Sequence, residues 1–189
     1  MDPINITVGN IQVCALNADD IPRFADMANE VFEILSDDTT LKFIPEKKLK
    51  NALEAEKWLQ SSVINYYTKR NYIHLIRSKE SGSILGMVDI LSPELIQDHY
   101  RLKDYPYFIE FYIKRQARNS SLMTRILPCI VEAMTEQGIT KISAVADKRN
   151  VPAKRVLAKS GFKYRTKFDI FKDLYETFGS TSETLQFDG

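Results

Sequence analysis

The stretch Arg149–Phe162, RNVPAKRVLAKSGF, decides how this chain is read. Asn150 stands just ahead of a short apolar-periodic run, where a side-chain oxygen can accept from the unpaired N–H groups of a first helical turn. Gly161 follows the run as a C′ residue, and Val156 and Leu157 are the side chains that pack. The stretch is therefore a short capped helix closed by Gly161 and Phe162. Before it, KISAVA (141–146) reads as a strand that leads in through DKRN; after it, FKYRTKFDIF (162–171) returns to strand.

The pattern continues towards the N-terminus. Residues 107–114, YFIEFYIK, are strand-like through their aromatic and β-branched content. RQARNSS follows, then a helix from about Ser120 to Gln137, stopped by Gly138 and expected to kink at Pro128. Residues 72–77 (YIHLIR) and 84–91 (ILGMVDIL) are strands joined by KESGS, a hairpin signal. SPELIQDHYRLKDYP (92–106) reads as a long loop, a length that is often functional.

IQVCAL (11–16) is the first strand expected. A helix follows with Asp19 as N-cap and Ile21, Phe24, Ala28, Val31 and Leu35 among its apolar face. A polar connection over 36–46 leads to a second amphipathic helix from Lys47 to about Arg70, with Leu49, Leu53, Leu59 and Val63 inward. One more strand is expected near Glu183–Phe187. No repeat, low-complexity tract or linker divides the chain, so residues 1–189 read as a single α/β domain with a mixed sheet.

Composition sets limits. With 189 residues, 44% apolar and 27% charged, the chain can bury a full core. No run of about 18 apolar residues occurs, so no membrane span is expected, and MDPINITVGNIQVC lacks the charged start and apolar run of a secretion signal. Cys14 and Cys129 read as two buried thiols in a reducing, cytoplasmic setting, and no metal is called for. The net charge of +1 hides an asymmetry: between Lys114 and Glu176 fourteen Lys/Arg face six Asp/Glu, so that segment carries +8 and the remainder −7. Such a field attracts an anionic ligand. No zinc-finger spacing, aromatic RNA-binding signature or long basic helix is present, which leaves a small phosphorylated ligand rather than nucleic acid.

The turn at Arg118–Met123 is the place for it. A strand-to-helix turn exposes unpaired amides that can cradle a pyrophosphate; Arg118 adds a fixed charge, and Asn119, Ser120 and Ser121 are small enough to let phosphate approach. The plainer reading of these polar residues is a helix cap.

With the Arg149–Phe162 helix, this turn resembles the GNAT superfamily of N-acetyltransferases, whose late motif runs N-x-x-[SA]-x-x-v-L/Y-x-K-x-G-F. Asn150, Ala153, Leu157, Lys159, Gly161 and Phe162 fall in register, and Arg118 and Leu122 match the family's upstream phosphate loop. Leu157 makes the chain similar to the branch that acetylates the N-terminal alanine or serine of ribosomal proteins. The resemblance spans about residues 11 to 168 and implies a mixed, mostly antiparallel central sheet splayed between its fourth and fifth strands and flanked by helices.

It further implies acetyl-CoA as the acyl donor and a primary amine as acceptor, a protein N-terminus or a small amine, attacking the thioester directly in a monomer or homodimer. The pantetheine arm would lie along Phe111, Tyr112 and Ile113 and touch Asn150. The pyrophosphate would meet Arg118, Asn119, Ser120, Ser121, Leu122 and Met123. Glu110 is the first candidate for a base and His99 the second; a solvent-facing strand carboxylate and an exposed loop histidine are the plainer readings. Many relatives carry an acidic tyrosine where this chain has Leu157. Asp37 and Asp38 are expected to border the acceptor groove. Asn119, Ser121 and Met123 stand where the family has glycines, so a non-catalytic binding domain with a decayed phosphate loop is the alternative to an enzyme.

Overall fold

The computed structural model describes residues 1–179. Its strands are β1 (Asn5–Val8), β2 (Ile11–Ala15), β3 (Asn71–Ser78), β4 (Ile84–Leu91), β5 (Tyr107–Ile113), β6 (Lys141–Asp147), β7 (Lys163–Lys167) and β8 (Lys172–Phe178). Its α-helices are α1 (Phe24–Ser36), α2 (Ala52–Tyr67), α3 (Pro93–His99), α4 (Leu122–Glu136) and α5 (Val151–Lys159). All eight strands join one sheet in the order β1-β2-β3-β4-β5-β6-β8-β7. Every neighbouring pair is antiparallel except β5 and β6.

That parallel pair positions the site. It is registered only at Tyr107 with Ile142 and Phe108 with Ser143. Beyond it β5 stays with β4 as far as Ile113, and β6 stays with β8 as far as Asp147, so the two strands part and leave a wedge. This is the splay expected between the fourth and fifth strands, and it falls between the fifth and sixth because Asn5–Val8 adds a strand at the front. Only alternating partial burial marks that short strand, which turns into β2 through Gly9 at φ +61°.

Helices cover both faces. α1 and α2 pack through Phe24, Val31, Ile34 and Leu59 onto Ile73, Leu75, Met87 and Tyr112. On the opposite face α4 and α5 pack through Ile126, Ile130 and Leu157 onto Ile76, Val88, Ile90 and Ile109. Each such aliphatic side chain contributes about 1.5–3 kcal/mol relative to exposure.

Several local boundaries differ from the sequence reading. Asn17, not Asp19, caps the first helical segment, with Asp20 completing a capping box, and a 3-10 turn over Ala18–Arg23 precedes α1 and leaves Ile21 52% exposed. The second helix starts only at Ala52, because the Asn51 side chain caps it by accepting from the Glu54 amide; Lys47 belongs to a separate 3-10 turn, Pro45–Lys47, and Leu53 faces solvent. The 92–106 loop contains α3, capped by Ser92 with Pro93 in its first turn. α4 runs through Pro128 as one helix. FKYRTKFDIF divides around Asp169, whose carboxylate accepts from the amides of Phe171 and Lys172, into β7 and the approach to β8. The strand expected near Glu183–Phe187 lies outside the described residues.

Candidate active site

The wedge opens into two cavities of about 680 Å³ each that share Thr40, Phe43, Phe111, Asn150 and Ala153 among their walls. They differ in charge. The lower one is lined by Lys42, Arg118, Arg149, Arg155 and Lys159 and by no carboxylate. The upper one is lined by Glu46, Asp89, Glu110 and Asp147, with Lys47 and Lys172 as its cations, and by the aromatic rings of Trp58, Tyr100, Phe108 and Phe168.

The turn before α4 closes the lower cavity. Asn119 (φ +60°) and Ser121 (φ +57°) both hold left-handed backbone angles, the region glycine enters most readily. The turn thus takes up backbone angles open to glycine without containing one, at a strain that asparagine tolerates better than serine. The Ser120 hydroxyl donates to the Ala117 carbonyl, which ties the turn to the preceding 3-10 segment. Met123 is 4% exposed and packs in the α4 core, while still contributing to the cavity floor. Arg118 donates to Asp37 at 2.7 Å and to the Thr40 hydroxyl. Burial works to raise the Asp37 carboxyl, but the bonds from Thr40 and the charge of Arg118 prevail and hold it below the ordinary range. Arg149 is bidentate to Asp147, at 3.0 Å from both Nε and Nη2, and its guanidinium lies 5.8 Å from the Phe43 ring centroid. Asn150 caps α5 by accepting from the Ala153 amide at 3.2 Å.

The upper cavity holds a cluster of ionisable groups. Asp89 and Glu110 are registered partners across β4 and β5 and so share one face of the sheet. Lys47 Nζ lies 3.1 Å from Glu110 Oε2, and the Tyr112 hydroxyl donates to the same oxygen at 2.6 Å. Asn71 Nδ2 donates to Asp89 Oδ1 at 2.8 Å. Burial, then the neighbouring Glu110 charge, pushes the Asp89 carboxyl up to about 7. Burial opposes the Lys47 ammonium, yet the attraction of Glu110 and Asp89 holds it above its ordinary value. The same burial and the Glu110 carboxylate push the Tyr112 phenol well up.

A protein-family model described as an acetyltransferase (GNAT) domain matches residues 21–163. The chain belongs to this family. It is an acyltransferase of the GNAT fold. Solved GNAT structures agree in architecture: a putative ribosomal-protein-serine acetyltransferase from Vibrio cholerae superposes with TM-score 0.68 at 15% identity, covering 93% of this chain and 98% of that one. A ribosomal L7/L12 α-N-protein acetyltransferase in complex with coenzyme A gives 0.67 at 13% identity, with 94% and 98% covered. A microcin C7 self immunity acetyltransferase in complex with acetyl-CoA and AMP gives 0.66 at 12%, with 91% and 94% covered. At these identities the likeness is one of fold. A search of curated proteins by sequence finds no significant match.

Within the GNAT frame the residues singled out from sequence fall into two groups. Arg118, Asn119, Ser121, Leu122 and Met123 line the lower cavity with Ile113, and Ser120 lies in the same turn. Glu110 lines the upper cavity, Phe111 and Asn150 line both, and Tyr112 is buried on the α1–α2 face. His99, at the end of α3, lines the upper cavity too. Leu157 is 1% exposed, with no acidic group at its position. Asp37 and Asp38 line neither cavity: Asp37 is engaged by Arg118 and Asp38 by Lys48 at 2.5 Å. The acids that do face the upper cavity include one the sequence reading passed over, Asp89. Its signal was a lone carboxylate inside ILGMVDIL, since a charge in an otherwise apolar strand is costly to bury. Among the described residues no helix is long and apolar enough to cross a membrane, and no group of three or more His, Cys, Asp or Glu is placed to hold a metal ion.

Proposed function

We propose that the protein transfers an acetyl group from acetyl-CoA to a primary amine by direct attack of the amine on the thioester. The observation that carries this reading is the wedge between β5 and β6, which opens at one end into a cavity floored by a left-handed turn and lined by five cations and no carboxylate. A polyanionic cofactor fits that end, and the acidic, aromatic end suits a cationic acceptor.

In this reading the amides that open α4, with Arg118, Asn119, Ser120 and Ser121, take the pyrophosphate, and Leu122 and Met123 form the floor beneath it. The pantetheine arm adds along the unpaired side of β5 at Phe111–Ile113, reaching Asn150 across the wedge. A β5 amide there stabilises the oxyanion that develops on the thioester carbonyl. Glu110, beside the divergence, draws in the acceptor and lies on its proton path. An α-amine, with an ordinary pKa of about 7.7–8.0, needs less help from such a path than a lysine at about 10.4.

The test is a calorimetric titration with acetyl-CoA, followed by mass analysis of a panel of primary amines incubated with both. Saturable binding and an acetyl mass gain on at least one amine are expected. Absence of binding at millimolar acetyl-CoA overturns the reading and leaves a binding domain with a decayed phosphate loop.

A further inference from the structure

At the Asp89–Glu110 pair the upper cavity is one positive charge and one hydrogen-bond donor short. Two carboxylates, Asp89 and Glu110, face each other across β4 and β5, and the ammonium of Lys47 lies against Glu110. Glu110 Oε2 is further occupied by the Tyr112 hydroxyl. Asp89, 5% exposed, forms no ion pair among the described residues: Lys47 acts on it only from its place against Glu110, and its hydrogen-bonded neighbour is the uncharged Asn71. Asn71 is itself 7% exposed, and its Oδ1 has no hydrogen-bond partner among the described residues although the side chain lines the cavity. An acceptor left unpaired at that depth is costly, and a carboxylate buried without a cation more so.

The groups around Asp89 define what completes it. Glu110 and Tyr112 face it from β5, Lys47 and Glu46 approach from the 3-10 turn, and His99 lines the cavity from α3. α2 contributes Ser62 and Asn65, which carry no charge. Trp58, Phe108 and Phe168 supply rings to the same cavity. Carboxylate, orphan carbonyl oxygen and aromatic walls together recognise an organic ammonium: charge to Asp89, an N–H to Asn71 Oδ1, and the carbon chain against the rings.

We propose that Asp89 and Asn71 form the subsite for the acceptor's ammonium group, with Asp89 taking the proton that must leave before attack. This rests on the reading of the upper cavity as the acceptor side of an acetyl transfer. One N–H proton passes to an Asp89 oxygen, and the freed nitrogen lone pair attacks the thioester carbon. The C–N bond forms and the C–S bond breaks. Coenzyme A leaves as the thiolate and takes the second proton, shed by the nitrogen as it becomes an amide. Asp89 then returns its proton to water. Glu110 stays ionised against Lys47 and serves the entrance.

The experiment compares propylamine with its isostere propan-1-ol as thermal-shift ligands at pH 8. Propylamine is expected to raise the melting temperature of the wild-type protein and propan-1-ol is not. Asp89→Asn is expected to abolish that contrast, and Asn71→Ala, which keeps the carboxylate but removes the orphan acceptor, to weaken it. Transfer to propylamine by Asp89→Asn is expected to fall at least about 100-fold and to recover as pH rises and the free amine supplies itself. Equal behaviour of amine and alcohol on the wild type overturns the proposal, as does a contrast that persists in Asp89→Asn. If that variant does not fold, an undiminished contrast in Asn71→Ala overturns it. Acetyl-CoA binding separates the two readings: its absence in the wild type removes the acetyl-transfer reading while leaving the contrast between amine and alcohol to stand or fall alone.

Discussion

Arg118 Nη2 lies 2.7 Å from Asp37 Oδ2, so the residue at the mouth of the α4 turn is held by the connection between α1 and α2. An incoming phosphate competes with Asp37 for the same guanidinium. At a ligand concentration about 100-fold above Kd, acetyl-CoA is expected to stabilise the wild type by about 2.7 kcal/mol. Arg118→Glu is expected to lose that stabilisation. Asp37→Asn frees the guanidinium from a competing charge and is expected to tighten acetyl-CoA binding by up to about tenfold. Isothermal titration of the three proteins measures both effects.

Left-handed backbone at Ser121 carries a cost that glycine avoids. An L-residue there loses about 1–2 kcal/mol, part of which glycine gives back through the unfolded chain, about 0.5–1 kcal/mol. Ser121→Gly is therefore expected to gain up to about 1 kcal/mol in urea unfolding, and Asn119→Gly less, since asparagine enters this region more easily. Ser121→Val is expected to destabilise, because a β-branched residue is an outlier at positive φ.

Stability against pH is set in part by two buried groups of opposite sign. Asp89 rises from an ordinary 3.8 to about 7 in the fold. The folded state thus binds its proton more tightly than the unfolded chain does; the contribution is complete below about pH 4 and is lost as pH climbs through 7. His74, whose Nε2 accepts from the Ile4 amide at 3.3 Å, falls through burial from an ordinary 6.5 to about 4. Its contribution is complete above pH 6.5 and is lost as pH drops towards 4. In the wild type the two slopes oppose each other between pH 4 and 6.5. Asp89→Asn removes one of them, so its stability is expected to rise with pH over that range and to exceed the wild type at pH 8. Urea midpoints taken at pH 4.5, 6 and 8 check the sign.

Much of this arrangement was legible because its signals are local. Asn150 and Gly161 bracket α5 by cap chemistry alone, and Gly138 ends α4 for the same reason. The divergence of β5 and β6 came from resemblance, since no residue pattern in YFIEFYIK announces where pairing stops. Positions decided by tertiary partners were not readable. Lys47 looked helical by periodicity, but it closes a separate turn opened by Pro45, outside the helix that Asn51 caps, and its ammonium reaches Glu110. Asp37 and Asp38 looked like acids for a substrate, yet Arg118 and Lys48 engage them. Asn71 shows nothing unusual in YIHLIR and its flanks until β4 brings Asp89 beside it.

Gly86 sets how closely β4 and β5 approach. A Cβ added there would lie 2.6 Å from the Tyr112 carbonyl oxygen, a backbone atom that can give way only if β5 itself shifts. Gly86→Ala is expected to cost about 1–3 kcal/mol and, by pushing β5 towards the wedge, to weaken acetyl-CoA binding as well. Chemical denaturation and titration calorimetry on the same variant test the two parts.

Because β5 and β6 pair only at Tyr107 and Phe108, the sheet is two sheets hinged at one corner: a five-stranded part from β1 to β5, and a three-stranded part of β6, β8 and β7. Each part ends in an interior rim of hydrogen-bonding groups, a liability that proteins otherwise cover or charge. A molecule bridging those rims would act as mortar between the parts. The rigidity of the whole, and its resistance to proteolysis, would then rise and fall with the occupancy of the gap.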